Sequence, residues 1–130
     1  MMTTAPEIPD RPMVVVVAED EAVVRLSAVE LLRDQGFVTI EAAHAKAALK
    51  ICELQAAEID ILFTDIDMPG PMNGLELAHR VREQWPWISI IIVSGNFFVH
   101  VAELPAAGRF LPKPYDMLHV ANLIHEMRRG

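Results

Sequence analysis

Three largely apolar runs constrain what this chain can fold into. The runs are MVVVVA (13–18), IDILFT (59–64) and ISIIIVS (88–94), and all are rich in β-branched residues. A strand with apolar side chains on both faces must be covered on both, as the strands of parallel sheets are. Shorter strands are predicted at 37–42 and 109–112, with helical patterns between the strands. This alternation predicts an α/β domain with a five-stranded parallel sheet and helices on both faces.

Four helices are predicted from apolar periodicity and from breakers. They cover 21–35, 43–57, 74–85 and 115–129, and Gly36 is placed to end the first. The apolar stripe expected to bury the first helix consists of Val24, Ala28, Leu31 and Leu32.

Composition limits the class of protein and its partners. The chain has 130 residues, of which 52% are hydrophobic and 22% charged, as in a globular domain. We assign residues 13–130 to that domain and 1–12, with three prolines, to a flexible N-terminal segment. A net charge of −7 argues against nucleic acid as a direct partner, because phosphate binding needs a basic face. No apolar run reaches the roughly 20 residues that cross a bilayer, so no membrane association is expected.

The single cysteine, Cys52, excludes a disulfide framework and a thiolate metal cluster. It lies in an alanine-rich helical pattern and is predicted to be a buried, inert thiol. The N-terminus also lacks the basic-then-apolar order of a signal peptide. Both features predict a cytoplasmic protein.

Polar residues follow the predicted strands where each strand ends. The first is followed by Glu19 and Asp20, the third by Asp65, the fourth ends at Ser94, and the fifth precedes Lys113. In a sheet of order 2-1-3-4-5 the first and third strands are neighbours, so the three carboxylates share one cleft. Such carboxylates need a cation, and oxygen ligands without thiolates favour Mg²⁺. A carboxylate nucleophile, a metal and an ammonium together describe phosphoryl transfer to aspartate.

Each of these signals has an ordinary structural explanation when it is taken alone. Glu19 and Asp20 can start the first helix, because acids favour a helix N-terminus. An aspartate at a strand end is often only part of a turn, Ser-Gly is often only a turn, and Lys-Pro is often only surface. The order in which the signals occur is what favours a site.

Five motifs give the chain a resemblance to a known family. VVVVAEDE, FTDIDMPG, NGLELA, IIIVSG and FLPKPYD resemble the receiver domain of bacterial two-component response regulators, from about Met13 to Arg129. The resemblance implies a flavodoxin-like, doubly wound sheet of order 2-1-3-4-5. It also implies a phosphorylated signalling domain rather than an enzyme. The chain ends directly after its last helix, so we expect a stand-alone receiver.

The resemblance also implies roles for individual residues at the acidic end of the sheet. Asp65 would be the phosphoacceptor. Asp20 and Asp65 would ligate Mg²⁺ directly, Glu19 would act through a bound water, and Asp67 would offer its backbone carbonyl. The carboxylate of Asp67 would line the rim of the site.

On the other side of the cleft the resemblance implies three further roles. Ser94 would be the switch hydroxyl, Lys113 the phosphate-binding lysine and Phe110 the aromatic switch residue. The peptide bond between Lys113 and Pro114 is cis in the family. The phosphoryl donor would be a sensor histidine kinase or a phosphotransfer protein. The output would be phosphorylation-dependent binding of a downstream protein, or action as a phosphate sink.

The chain departs from the family pattern in two places. Pro71 is a one-residue insertion that lengthens the loop after Asp65 without displacing it. The segment from Ser94 to Lys113 is short by nearly one helical turn, so the fourth helix of the family is predicted to be short or irregular. We expect residues 95–108 to form a mobile loop with at most one or two helical turns. Phe97, Phe98 and Val99 would fill the resulting gap or form a partner patch, and in the family this face also mediates homodimers.

Two other functions remain open from the sequence. A receiver-like interaction module without phosphorylation would have the same fold. A phosphohydrolase of the haloacid dehalogenase type would use Asp65 as nucleophile and Asp67 as acid. That family places its Asp-x-Asp motif on the first strand, whereas here the motif follows the third, and no later acidic pair follows Lys113.

Overall fold

The five predicted strands form one parallel sheet. In this computed structural model, which describes residues 11–95 and 101–127, they are β1 (Val14–Ala18), β2 (Val38–Ala42), β3 (Ile61–Asp65), β4 (Ser89–Ser94) and β5 (Arg109–Pro112). Their order is β2-β1-β3-β4-β5, and every neighbouring pair is parallel. The predicted fold class is confirmed.

Within the described residues, four α-helices connect or follow the strands. They are α1 (Ala22–Asp34), α2 (Ala45–Gln55), α3 (Gly74–Gln84) and α4 (Met117–Met127). Gly36 has a φ of 92°, a left-handed conformation that glycine adopts without strain and that ends α1 as predicted. Asn73 and Glu76 form a capping box at the start of α3, which fixes where that helix begins.

The sheet separates two hydrophobic cores, because successive side chains of a strand point to opposite faces. Val15 and Val17 of β1 lie in the core beneath α1 and α4. Val16 and Ala18 lie in the core beneath α2 and α3. All four are buried, and each buried valine contributes about 1.5–3 kcal/mol. This two-sided burial explains why the central strands are apolar along their whole length.

The apolar stripe predicted for α1 was partly wrong. The helix buries Ala28, Val29 and Leu32, whereas Leu31 is 46% exposed. Residues 31 and 32 lie about 100° apart around the helix axis, so only one of them can point at the sheet. The run Leu31-Leu32 could not show which one.

The connection between β4 and β5 contains little regular structure in its described part. Residues 101–108 contain a single 3₁₀ turn at Val101–Glu103 and no α-helix. Residues 96–100, which include Phe97, Phe98 and Val99, lie outside the described residues. The predicted mobility of 95–108 and the role of the phenylalanines therefore stay predictions.

An ion pair links the first described N-terminal residues to the segment that precedes β3. Arg11 lies 2.8 Å from Asp60 Oδ2, which also accepts a hydrogen bond from the Val14 N–H. Residues 1–10 are outside the described part, so the flexible segment predicted at 1–12 stays a prediction. None of the helices in the described ranges is long and apolar enough to cross a membrane.

Candidate functional site

The carboxyl ends of four strands bring together the polar residues that the sequence singled out. Asp65 is the last residue of β3. Beyond β1, the Glu19 N–H donates to the Ala42 carbonyl at 3.0 Å, and beyond β5 the Lys113 N–H donates to the Ser94 carbonyl at 2.9 Å. These bonds continue the sheet by one residue and fix the main chain from which the site's side chains project.

Three carboxylates form a cluster at this edge of the sheet. Glu19, Asp20 and Asp65 each offer an oxygen, and these oxygens lie within 4.8 Å of one another. Glu19 is 4% exposed and Asp65 3%, while Asp20 is half-buried. The cluster is the shared cleft that the strand order predicts. Its negative charges are close and poorly solvated, so they are unfavourable without cations.

Lys113 supplies one such cation. Its Nζ donates to Asp65 Oδ2 at 2.9 Å and to Glu19 Oε1 at 3.2 Å. Burial lowers the pKa of Lys113, but the hydrogen bonds to the two carboxylates and their charges outweigh it, so the pKa lies above its ordinary value. The pKa of Glu19 lies above its ordinary value. Burial raises this pKa most, the hydrogen bond from the Glu21 N–H lowers it, and the nearby Asp65 charge raises it further. The peptide bond between Lys113 and Pro114 is cis, as the resemblance implies.

Ser94 and Asp67 form the opposite wall of the site. Ser94 is fully buried, and its hydroxyl donates to Asp67 Oδ2 at 2.8 Å. The Asp67 N–H donates to Asp65 Oδ1 at 3.1 Å. Phe110 is half-buried and packs against the core beneath α2 and α3. The Ser94 hydroxyl therefore points at the Asp67 carboxylate in this structure.

Comparison with known proteins assigns this arrangement to a family. The model of the response regulator receiver domain matches residues 15–125. The chain belongs to this family. It is 36% identical over 116 residues to the sensor kinase CckA of Brucella abortus (strain 2308), a match that covers 87% of this chain and 12% of the kinase. It is 30% identical over 116 residues to the response regulator receiver protein CpdR of the same strain, covering 87% of this chain and 94% of CpdR.

A solved receiver domain has the same fold. The crystal structure of the receiver domain from the hybrid histidine kinase CckA aligns with a TM-score of 0.76 at 32% identity, covering 88% of this chain and 98% of that one. The receiver family is a signalling family rather than a classical enzyme family. The family match, together with the position of the Asp-x-Asp motif at the end of β3, leaves the phosphohydrolase alternative without support.

Gly74 is a residue of this receiver site that sequence reasoning missed. A β-carbon there would overlap the main-chain carbonyl oxygen of Asp65 and lie 2.9 Å from Thr64 Oγ1. Only glycine allows α3 to begin this close to the end of β3. The signal was the Asn-Gly pair at the start of NGLELA, which marks a helix start and a close backbone approach.

The Pro71 insertion does not disturb the receiver site. Pro71 is exposed, while Met68 and Met72 on either side of it are buried and anchor the loop. Gly70 takes a φ of 118°, which allows the turn between them. Asp65 keeps its place as the last residue of β3.

The carboxylate cluster fits a hard divalent cation. Its three members offer only oxygen atoms, which Mg²⁺ prefers. If all three are ionised, Lys113 neutralises one charge and leaves about two, which one Mg²⁺ would balance. The Asp67 carboxylate is not part of the cluster, so a metal-binding role for Asp67 would rest on its backbone carbonyl, as the resemblance implies.

Proposed function

We propose that this receiver accepts a phosphoryl group on Asp65 from a histidine kinase or a phosphotransfer protein. The observation that carries the proposal is the environment of the Asp65 carboxylate. One of its oxygens accepts from the Lys113 ammonium and the other from the Asp67 N–H, and Glu19 and Asp20 lie beside it. Among the described carboxylates of the cluster, it is the one that accepts hydrogen bonds from both Lys113 and Asp67.

The transfer would make one bond and break one. An Asp65 oxygen attacks the phosphorus of a phosphohistidine, the P–N bond breaks, and the imidazole of the donor keeps the electron pair and takes up a proton. The product is an acyl phosphate on Asp65. The Lys113 ammonium, already 2.9 Å from Asp65 Oδ2, is placed to neutralise a phosphoryl oxygen.

The acidic side of the cleft would hold the metal. Asp20 and Asp65 would ligate Mg²⁺ directly, Glu19 would do so through a water, and Asp67 through its backbone carbonyl. The ion would supply charge neutralisation for the phosphoryl oxygens. Ser94 would be the switch hydroxyl and Phe110 the aromatic residue that responds to it.

The partners follow from the same proposal. The relatives named above include a sensor kinase and a receiver protein whose length the match covers almost completely. This supports a stand-alone receiver that takes phosphate from a kinase or phosphotransfer protein, and we expect it to act in the cytoplasm. Its output would be phosphorylation-dependent protein binding, with a homodimer among the candidate complexes, or action as a phosphate sink.

Incubation with acetyl phosphate and Mg²⁺, followed by intact mass measurement, tests the proposal. The wild type should gain the mass of one phosphoryl group, and Asp65→Asn should gain none. Asp34→Asn, which changes an exposed aspartate in the last turn of α1, should gain it at the wild-type rate. A wild type that gains nothing would instead favour the interaction module without phosphorylation. Phosphorylation of Asp65→Asn at the normal rate would show that the acceptor lies elsewhere.

A further inference from the structure

The proton of the Ser94 hydroxyl has a defined acceptor in the unphosphorylated receiver. Ser94 is fully buried and donates to Asp67 Oδ2 at 2.8 Å. A hydroxyl has one proton and can donate to one acceptor at a time. Because the hydroxyl proton points at Asp67 Oδ2, donating it to a phosphoryl oxygen on Asp65 instead requires the hydrogen bond to Asp67 to break.

Asp67 is tied to the phosphoacceptor as well as to Ser94. Its N–H donates to Asp65 Oδ1 at 3.1 Å, and Lys113 Nζ donates to Asp65 Oδ2 at 2.9 Å. The Lys113 N–H in turn donates to the Ser94 carbonyl at 2.9 Å. The four residues therefore form a closed ring of hydrogen bonds. Within this ring, the bond from Ser94 to Asp67 is the one that joins two side chains without involving the Asp65 carboxylate.

We propose that the Asp67 carboxylate is a positioning residue that holds the Ser94 hydroxyl away from Asp65 in the resting state. Switching is then a competition between the Asp67 carboxylate and a phosphoryl oxygen on Asp65 for one proton. The resting-state role of Asp67 rests on the observed hydrogen bond alone. The competition with a phosphoryl oxygen rests on the proposed function.

The chemistry of the two acceptors explains how the competition would be decided. Hydrogen bonds to an ionised acceptor are stronger than neutral ones, so a carboxylate at position 67 favours the resting state more than an amide or an apolar residue would. Phosphorylation adds a second anionic acceptor with three oxygens. The switch shifts only by the difference between the two acceptors, so the residue at position 67 sets its equilibrium.

The first test uses the unphosphorylated protein. Unfolding equilibrium constants are measured in urea for the wild type, Asp67→Ala, Ser94→Ala and the double variant. The structure predicts that the two substitutions are coupled by about threefold to tenfold in the unfolding constant. If the effect of the double variant on the unfolding constant is the product of the two single effects, the inference is wrong. Because no phosphate is involved, this outcome does not depend on the proposed function.

The second test follows the amide NMR signals of Ser94, Gly95 and Lys113. In unphosphorylated Asp67→Ala they should move towards the positions that the wild type takes when phosphorylated. Asp67→Asn, which keeps a neutral acceptor oxygen, should move them less. Glu83→Ala, which removes an exposed charge on α3, should leave them unchanged. In a protein that already carries Ser94→Ala, Asp67→Ala should not move the signals further towards the positions of the phosphorylated wild type.

The outcomes separate this inference from the proposed function. If the amide signals do not move in Asp67→Ala, the proposed competition is wrong even when the protein is phosphorylated normally. The same holds if Asp67→Ala moves the signals equally in a protein that already carries Ser94→Ala. A wild type that gains no phosphoryl group would overturn the proposed function and the competition together. The coupling measured in urea would still decide whether Asp67 holds the hydroxyl.

Discussion

Gly74 packs directly against the main chain of Asp65. A β-carbon at Gly74 would overlap the Asp65 carbonyl oxygen and lie 2.7 Å from its carbonyl carbon. The same carbonyl oxygen accepts a hydrogen bond from Thr64 Oγ1 at 2.9 Å. The capping box of Asn73 and Glu76 fixes the start of α3 at this contact. The first turn of α3 therefore helps to set the position of the Asp65 carboxylate.

Gly74→Ala should consequently displace the end of β3. Relief of the overlap requires a backbone shift, which should lower the free energy of unfolding by about 1–3 kcal/mol. It should also slow phosphorylation by acetyl phosphate. Urea unfolding and timed intact mass spectra measure the two effects. Gly95→Ala is the matched control, because a β-carbon there meets no atom of the described residues within 4 Å. Equal behaviour of the two variants would show that the contact is unimportant.

Removal of one carboxylate from the cluster should weaken Mg²⁺ binding. Asp20→Ala takes away one of three oxygens that lie within 4.8 Å of one another, and we expect a loss of affinity of at least about tenfold. Calorimetry measures it directly. Asp34→Ala removes an exposed aspartate outside the cluster and should bind as the wild type does. Undiminished affinity in Asp20→Ala would refute the proposed ligand set.

Loss of the Lys113 ammonium should destabilise the metal-free receiver. Glu19 and Asp65 are almost fully buried and both accept from Lys113 Nζ. Lys113→Ala leaves them without this partner, at a cost of about 1–3 kcal/mol in the free energy of unfolding. Urea unfolding in a chelator tests this, with Lys50→Ala as the control at an exposed lysine of α2. The phosphorylation-dependent amide shifts should also disappear in Lys113→Ala.

Cys52 should be unreactive in the native protein. Burial raises the pKa of its thiol from 9.0 to about 11, with a smaller effect from the charge of Glu53, so little thiolate forms at pH 8. Modification by iodoacetamide should therefore be slow until the protein unfolds. It is the only cysteine in the chain, so intact mass reports this site alone. Since the folded pKa is above the unfolded one, stability should fall as the pH rises from 9 towards 11. Fast native labelling at pH 8 would contradict the burial.

The connection after β4 should respond to phosphorylation. The helical structure of residues 101–108 is limited to one 3₁₀ turn, so their amides should exchange with solvent faster than those of the buried strand β4. Phosphorylation should change this exchange more than that of β2, which contains none of the proposed site residues and provides the internal reference. Slow exchange throughout 101–108 in the unmodified protein would show a more stable structure than we expect.

Much of the fold could be predicted because its signals are local. The apolar residues of each central strand show by themselves that both faces of the strand are buried. Gly36 ends α1 because glycine adopts a positive φ without strain. The burial of Leu32 rather than Leu31 could not be predicted, because both are leucines and the choice depends on how α1 lies on the sheet. The acidic cluster was predictable once the strand order was assumed, since residues at the ends of adjacent parallel strands must meet.

The sequence by itself determined which residue types occupy the strand ends, namely the acids after β1 and β3, the hydroxyl of β4 and the lysine after β5. Only the tertiary structure decided how they pair. The bond from Ser94 to Asp67 joins residues 27 positions apart, and the contact of Gly74 with Asp65 depends on where a capped helix meets a strand. Hydrogen bonds and steric overlap change over fractions of an ångström, and periodicity and propensity do not specify positions that finely.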